Sequence, residues 1–310
     1  MNTQHHPRSV SRRWLERTLA MLFLFAAGCA AFLAGRYYHD IRTIRPLPPR
    51  GPQLDVHVLD SGDGTSQLLV TPAGHTLMID AGSRERPAVG AASLTGKEGG
   101  IDLMVLTSTR ARCIGGFEAV LDAIKIKGPV LLPTDSASFR RCGRAARDVL
   151  DALHERGIAA VPYDQYLLSH PTPIAGEGSL QLAGLPACSP RAREQSIALR
   201  IEYGASSLLY AAGIDSTEVR TLLARESNLA CDVLTAPGSA SRGATPPELL
   251  AATGPQTIIV ACGADQPPDD SSLNWMLATG ARIGRTDVQG AFTLHLDPLP
   301  NQPVAWDKAQ

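Results

Sequence analysis

The residues best suited to chemistry lie in short segments that follow apolar runs. The densest is "TSTRARC" at 107–113, with Ser108, Arg110, Arg112 and Cys113. Guanidinium groups stay charged and bind phosphate or carboxylate through two parallel hydrogen bonds. Ser108 or Cys113 could act as a nucleophile only beside a base, and His57 and His170 lie outside these segments. His57 sits inside a strand pattern, where a histidine is more often a satisfied sheet-face residue. Metal chemistry would have to draw on Asp80, Cys113, Asp215 and Asp269, which are widely separated in the chain. One thiolate and scattered carboxylates do not make the packed imidazole and carboxylate set that a dinuclear centre needs.

Short β-rich runs and helical patterns must position these residues. Strands are predicted at "LDVHVLD", "QLLVT", "TLMID", "DLMVLT", "PVLLP", "SLQLAGL", "SIALRIEY", "SSLLYAA", "DVLTA", "TIIVA" and "AFTLHL". Helices are predicted at "GGFEAVLDAIK", "ASFRRCGRAARDVLDALHERG", "STEVRTLLARE", "TPPELLAAT" and "SSLNWMLATGA", with Gly157 and Gly280 as stops. Strands first, then strands interleaved with helices, imply an α/β protein with packed layers around a mixed sheet. Residues 54–298 read as one domain and 299–310 as a tail.

The order of these strings resembles a metallo-β-lactamase-fold hydrolase, and more narrowly the soluble domain of ComEC-type competence DNA-uptake proteins. "LDVHVLDSGDGTSQLLVTPAGHTLMIDAGS" is similar to that family's opening, where a strand leads to "LDVGQGD" and a second strand ends in "IDAG". "IDLMVLTSTRARCIGGFEAVL", "SIALRIEYGASSLLYAAGIDS", "CDVLTAPGSASRGATPPELL" and "ATGARIGRTDVQGAFTLHL" follow in the family's order. The resemblance implies an αββα metallo-β-lactamase-like sandwich.

It also implies that the family's dinuclear Zn or Mn site is lost. Ser108, Arg110, Arg112 and Cys113 stand where T-H-x-H-x-D-H places its ligands. Gly213 replaces the bridging carboxylate, Gly238 and Ser239 replace two histidines, and "ADQPPDDSS" replaces the late histidine loop. None of the eight histidines falls on a motif position, so no cofactor is expected. Asp80, in "IDAG", is retained, with a structural role at a strand end. Cys113, Asp215 and Asp269 are weak candidates for residual ligands. Arg110 and Arg112 put fixed cations where the family puts metals. This suggests an anion-binding pocket with Ser108, Ser239, Ser241 and Arg242 as further donors. The competing reading is a decayed pocket in which both arginines pair with Asp80 or nearby carboxylates. A new catalytic site is the third.

From Thr18 to Gly35 the chain carries no charge, and about 18 residues at about 1.5 Å each approach the roughly 30 Å hydrocarbon core. Arg8, Arg12, Arg13 and Arg17 precede this run and Arg36 follows it, which orients the amino terminus to the cytoplasm. The expected order is a cytoplasmic segment at 1–17, a transmembrane signal-anchor at 18–36 and a Pro-rich stalk at 37–53. The domain would then lie on the periplasmic side of a bacterial inner membrane. A cleaved signal peptide or a lipoprotein at Cys29 would export it equally.

The formal net charge is −1, from 29 Lys+Arg against 30 Asp+Glu, so no basic field marks the whole chain as a nucleic-acid binder. Six cysteines in 310 residues cannot form a disulfide-built scaffold, although Cys113 with Cys142 is a candidate pair. Arg140, Arg141, Arg144 and Arg147 cover more than one face of a predicted helix, as on a solvated surface or, alternatively, a docking surface for lipid headgroups or nucleic acid. The expected function is a membrane-anchored, metal-free binding, scaffold or accessory protein of the cell envelope, with an envelope protein or an anionic ligand as partner. The alternatives are a phosphodiesterase- or nuclease-like hydrolase with non-standard ligands, and an accessory factor in DNA uptake.

Overall fold

In the eight-stranded sheet, polar and apolar residues alternate along strands that face solvent on one side. β1 (Leu54–Val58) buries Leu54, Val56 and Val58 and turns Asp55 and His57 outward. Its neighbours are β2 (Gln67–Val70) and β13 (Phe292–Leu296), both antiparallel to it. From β3 (Thr76–Ile79) the sheet becomes parallel through β4 (Leu103–Val105), β5 (Val130–Leu132) and β6 (Ala160–Pro162). β3, β4 and β5 are buried on both faces, which accounts for their uninterrupted apolar sequences. β14 (Ala305–Lys308) closes the far edge by pairing antiparallel with β13, so the segment expected as a tail contributes a strand.

The second sheet has the same plan with six strands. β7 (Leu180–Pro186), β8 (Ile197–Tyr203) and β9 (Ser206–Tyr210) are antiparallel. β10 (Val233–Thr235), β11 (Thr257–Val260) and β12 (Arg282–Arg285) continue in parallel. The computed structural model describes residues 52–95, 99–170, 174, 180–188 and 192–308. The expected anchor and stalk lie outside them, Pro52 and Gln53 apart. Among the described residues no helix is long and apolar enough to cross a membrane.

Three apolar clusters define four layers. Between the sheets, Leu69, Ile79, Val105 and Leu131 pack with Leu199, Leu208, Val233 and Ile259. Outside the first sheet, α2 (Phe117–Ala123), α3 (Ser136–Arg141) and α4 (Arg144–Glu155) lay Phe117, Phe139, Val149 and Leu153 against Met78, Met104 and Val130. Outside the second, α6 (Ser216–Arg225), α7 (Pro247–Thr253) and α8 (Asp270–Ala278) lay Val219, Leu222, Leu249 and Met276 against Leu209, Leu234 and Ile258. Each such fully buried side chain is worth about 1.5–3 kcal/mol of transfer free energy. The result is the αββα sandwich expected from the sequence.

The single helix expected across 137–157 is two helices, α3 and α4. Gly143, at φ +127°, holds a conformation between them that side-chain-bearing residues avoid. Gly157 and Gly280 end α4 and α8 at φ +64° and +75°, as expected. The arginine-bearing faces of α3 and α4 are solvated: Arg140 on α3 meets Asp151 on α4 at 2.9 Å, and Arg144 approaches Asp148 at 3.8 Å.

Candidate functional site

The chemistry-bearing residues converge where strands of both sheets end. β3 delivers Asp80, and β4 delivers Thr107, Ser108 and the short helix α1 (Ala111–Ile114) with Arg110 at its N-cap. β9 leads through Ala211–Ile214 to Asp215 and α6, and β10 leads to a 3₁₀ turn at Pro237–Ala240. Open α/β sheets place their ligands at such carboxyl ends.

Asp80 is fully buried and adopts φ +57°, a left-handed conformation that its surroundings must hold. Its Oδ1 accepts from the Thr107 amide at 2.7 Å, and its Oδ2 from the Thr107 hydroxyl at 2.7 Å and the Tyr210 hydroxyl at 2.9 Å. Tyr210 in turn accepts from Thr65 Oγ1 at 2.6 Å. Burial pushes the Asp80 carboxyl up to about 6, against the pull of these hydrogen bonds and of Arg112. Asp80 thus links the strand ends of the first sheet to Tyr210 on β9 of the second.

Arg110 is the centre of a cage. Its Nε donates to Glu194 Oε2 at 2.8 Å and its Nη2 to Asp215 Oδ2 at 3.0 Å. Its Nη1 lies 2.6 Å from the Gly213 carbonyl, 2.7 Å from Ser196 Oγ and 2.9 Å from Glu218 Oε2. The side chain is only 14% exposed, and three carboxylates surround its single charge. Desolvation opposes the charge, but Glu218, Glu194 and Asp215 together raise the Arg110 pKa. Burial raises the Glu218 carboxyl even with Arg110 beside it.

The cage is built on a helix start. Asp215 caps α6 by accepting from the Thr217 and Glu218 amides at 2.8 and 2.9 Å, and Glu218 Oε2 accepts from the Asp215 amide at 2.8 Å. This reciprocal capping box fixes two of the three carboxylates before Arg110 meets them. The pattern "DSTE" at 215–218 carried that signal, whereas nothing in the sequence pointed to Glu194 or Ser196.

The remaining expected site residues take other positions. Arg112 donates from Nη2 to the Ala212 carbonyl at 2.6 Å, with Ser239 Oγ at 3.4 Å from Nη1. Ser108 is buried against Ser196, 3.0 Å between hydroxyl oxygens. Ser239 is half-buried at φ +55°, and Ser241 and Arg242 are exposed beyond it. Asp269 caps α8 by accepting from the Ser272 amide at 3.1 Å. Cys113 is fully buried, and burial pushes its thiol well above the ordinary range. The Cys113–Cys142 pair is not formed: Cys113, Cys142, Cys188, Cys231 and Cys262 are free thiols.

These residues do not fit the two metals of the resembled family. A Cβ at Gly213, where the resemblance expects a bridging carboxylate, would stand 2.7 Å from Thr107 Oγ1 and 3.0 Å from Ser108 Cβ. Cys113 is a neutral thiol, Asp80 is committed to Thr107 and Tyr210, and Asp215 to Arg110 and α6. Among the described residues no group of three His, Cys, Asp or Glu could hold a metal ion. His57 is satisfied on a sheet face by Thr293 Oγ1 at 2.8 Å, and His170, at the end of α5 (Tyr163–Ser169), stacks on Tyr166.

No known family's sequence pattern matches the chain, and no curated protein does. Solved structures do. A CmlA β-hydroxylase E377D mutant matches over 81% of this chain and 55% of its own, with TM-score 0.50 and 14% identity. The metallo-β-lactamase-fold protein YhfI from Bacillus subtilis matches over 79% of this chain and 100% of its own, with TM-score 0.49 and 13% identity. Zn(2+)-bound PqqB from Methylobacterium extorquens matches over 71% and 85%, with TM-score 0.44 and 17% identity. The likeness is one of fold. This chain spans about half the length of the hydroxylase it matches.

Proposed function

We propose that this chain is a non-catalytic member of the metallo-β-lactamase fold, related to the soluble domain of ComEC-type proteins and acting as a binding, scaffold or accessory module of the cell envelope. One observation carries the reading. Where the resembled family gathers metals, the Arg110 guanidinium is held by Glu194, Asp215 and Glu218. A bridging water does not ionise near neutral pH without metals, and the carboxylates nearest this position, Glu194, Asp215 and Glu218, are engaged by Arg110. The anchor at 18–36 would tether the domain to the inner membrane, facing the periplasm.

An anionic ligand remains the partner to test. Since the Arg110 charge is already matched, the pocket would act through Arg112, Ser239, Ser241 and Arg242. Purified full-length protein, assayed with nucleotides, oligonucleotides and anionic glycans and with Zn or Mn supplied, should show no phosphodiesterase turnover. Any ligand retained should be weakened at least about tenfold by Arg112→Ala with Arg242→Ala. Metal-dependent turnover would replace this reading with the hydrolase alternative. Release of the protein from washed membranes by salt alone would remove the anchor.

A further inference from the structure

On the outer face of the eight-stranded sheet, β1, β13 and β14 place four ionisable side chains beside a cavity of about 300 Å³. His295 on β13 stands opposite Asp55 on β1, with Nδ1 2.6 Å from Asp55 Oδ1. Its other nitrogen, Nε2, lies 3.2 Å from Asp307 Oδ2 on β14. An imidazole can donate to carboxylates through both nitrogens only when both carry protons. We infer that this Asp55–His295–Asp307 bridge is a proton-dependent latch for the carboxy-terminal edge strand β14.

The two contacts are not equivalent. Asp55 is the closer partner and is 40% exposed, whereas Asp307 is farther and 81% exposed. When His295 loses one proton, the remaining one stays with Asp55. The bare Nε2 lone pair then faces the Asp307 carboxylate and repels it. β14 has only four residues and one paired edge, so losing this contact loosens the strand. Release bares the backbone groups of β13, an edge open to strand addition.

The groups facing His295 set the response. β1 supplies Asp55 and His57, whose own protonated form is disfavoured by burial and by His295 and favoured by Asp55. β13 adds the neutral Thr293 hydroxyl, β14 adds Asp307, and Leu94, Ala291 and Phe292 complete the wall. Trp306 holds β14 on its inner face through Phe292, ring centroids 5.3 Å apart, and through Arg282, 3.7 Å from the indole centroid. That anchor does not titrate, so the latch changes the fraying of β14 without unfolding the domain.

The test is hydrogen–deuterium exchange of the full-length protein at Thr293 and Ala305–Asp307, corrected for the intrinsic pH dependence of exchange. Protection should fall about threefold, the scale of one exposed ion pair, as the imidazole passes from its doubly to its singly protonated form. Asp307→Asn keeps a hydrogen-bonding partner for either state of the imidazole and should abolish that slope. In the wild-type protein, nitrogen-detected NMR of the ring should show Nε2, not Nδ1, losing its proton. A flat wild-type profile, an unchanged slope in Asp307→Asn, or loss of the proton from Nδ1 would each overturn the latch.

Discussion

Replacing Arg110 by alanine removes the one cation shared by Glu194, Asp215 and Glu218. Breaking a buried ion pair from one side costs about 3–5 kcal/mol, because the partner is left charged and desolvated. Glu218 is 9% exposed and meets that condition, but Glu194 and Asp215 are 46% and 50% exposed and rehydrate readily. The lower end, about 3 kcal/mol, is therefore expected. At about 2–4 °C per kcal/mol for a domain of this size, Tm should fall by about 6–12 °C in calorimetry. The loss should depend on pH. Burial already raises the Glu218 carboxyl in the folded protein, and without Arg110 it rises further. A raised carboxyl stabilises the fold fully below its unfolded pKa, and that gain is lost as pH climbs through the folded value. The Tm deficit should therefore be smaller near pH 4.5 than near pH 7.5. A deficit under about 2 °C at both pH values would refute the cage as a stabilising element.

Gly213→Asp, which puts a carboxylate where the resemblance expects a bridging one, should destabilise by about 1–3 kcal/mol in urea unfolding and recruit no metal, because its Cβ meets Thr107 Oγ1 at 2.7 Å. Asp80→Asn should flatten the part of the stability profile that declines as pH rises from about 4 toward about 6, the window between the ordinary Asp pKa and the raised folded one. It should also cost about 1–3 kcal/mol, since an amide offers one acceptor oxygen to three donors. Gly284→Ala would set a Cβ 2.4 Å from Trp306 Cζ3 and 2.6 Å from Phe292 Cζ, and should shift the Trp306 fluorescence toward that of a solvated indole.

Much of this fold was legible in the sequence because its signals are local. The Leu54, Val56, Val58 alternation and the apolar runs of β3 to β5 and β9 to β11 state which faces are buried. β6, β12 and β14 were missed for a physical reason: β6 is a three-residue edge strand, and "RIGR" and "AWDK" are short, charged edge segments brought together by Trp306 filling the space left by Gly284. Gly143 divided a helix whose apolar periodicity runs across it. At the site, the sequence raised the expectation of replaced ligands but did not show what Arg110 and Asp80 would meet. Asp215 and Glu218 could be read from the capping-box spacing. Glu194 and Ser196 reach Arg110 from a loop before β8, and only tertiary structure brings that loop to β4 and α6.

Metal stoichiometry, measured by plasma mass spectrometry on full-length protein expressed with Zn and Mn supplied, tests the central claim most directly. The caged Arg110 predicts less than about one-tenth of an equivalent of either metal, with Tm unchanged by a chelator. One or two tightly held equivalents, with Tm falling on their removal, would contradict it, because the carboxylates that could ligate a metal there, Glu194, Asp215 and Glu218, are paired with Arg110.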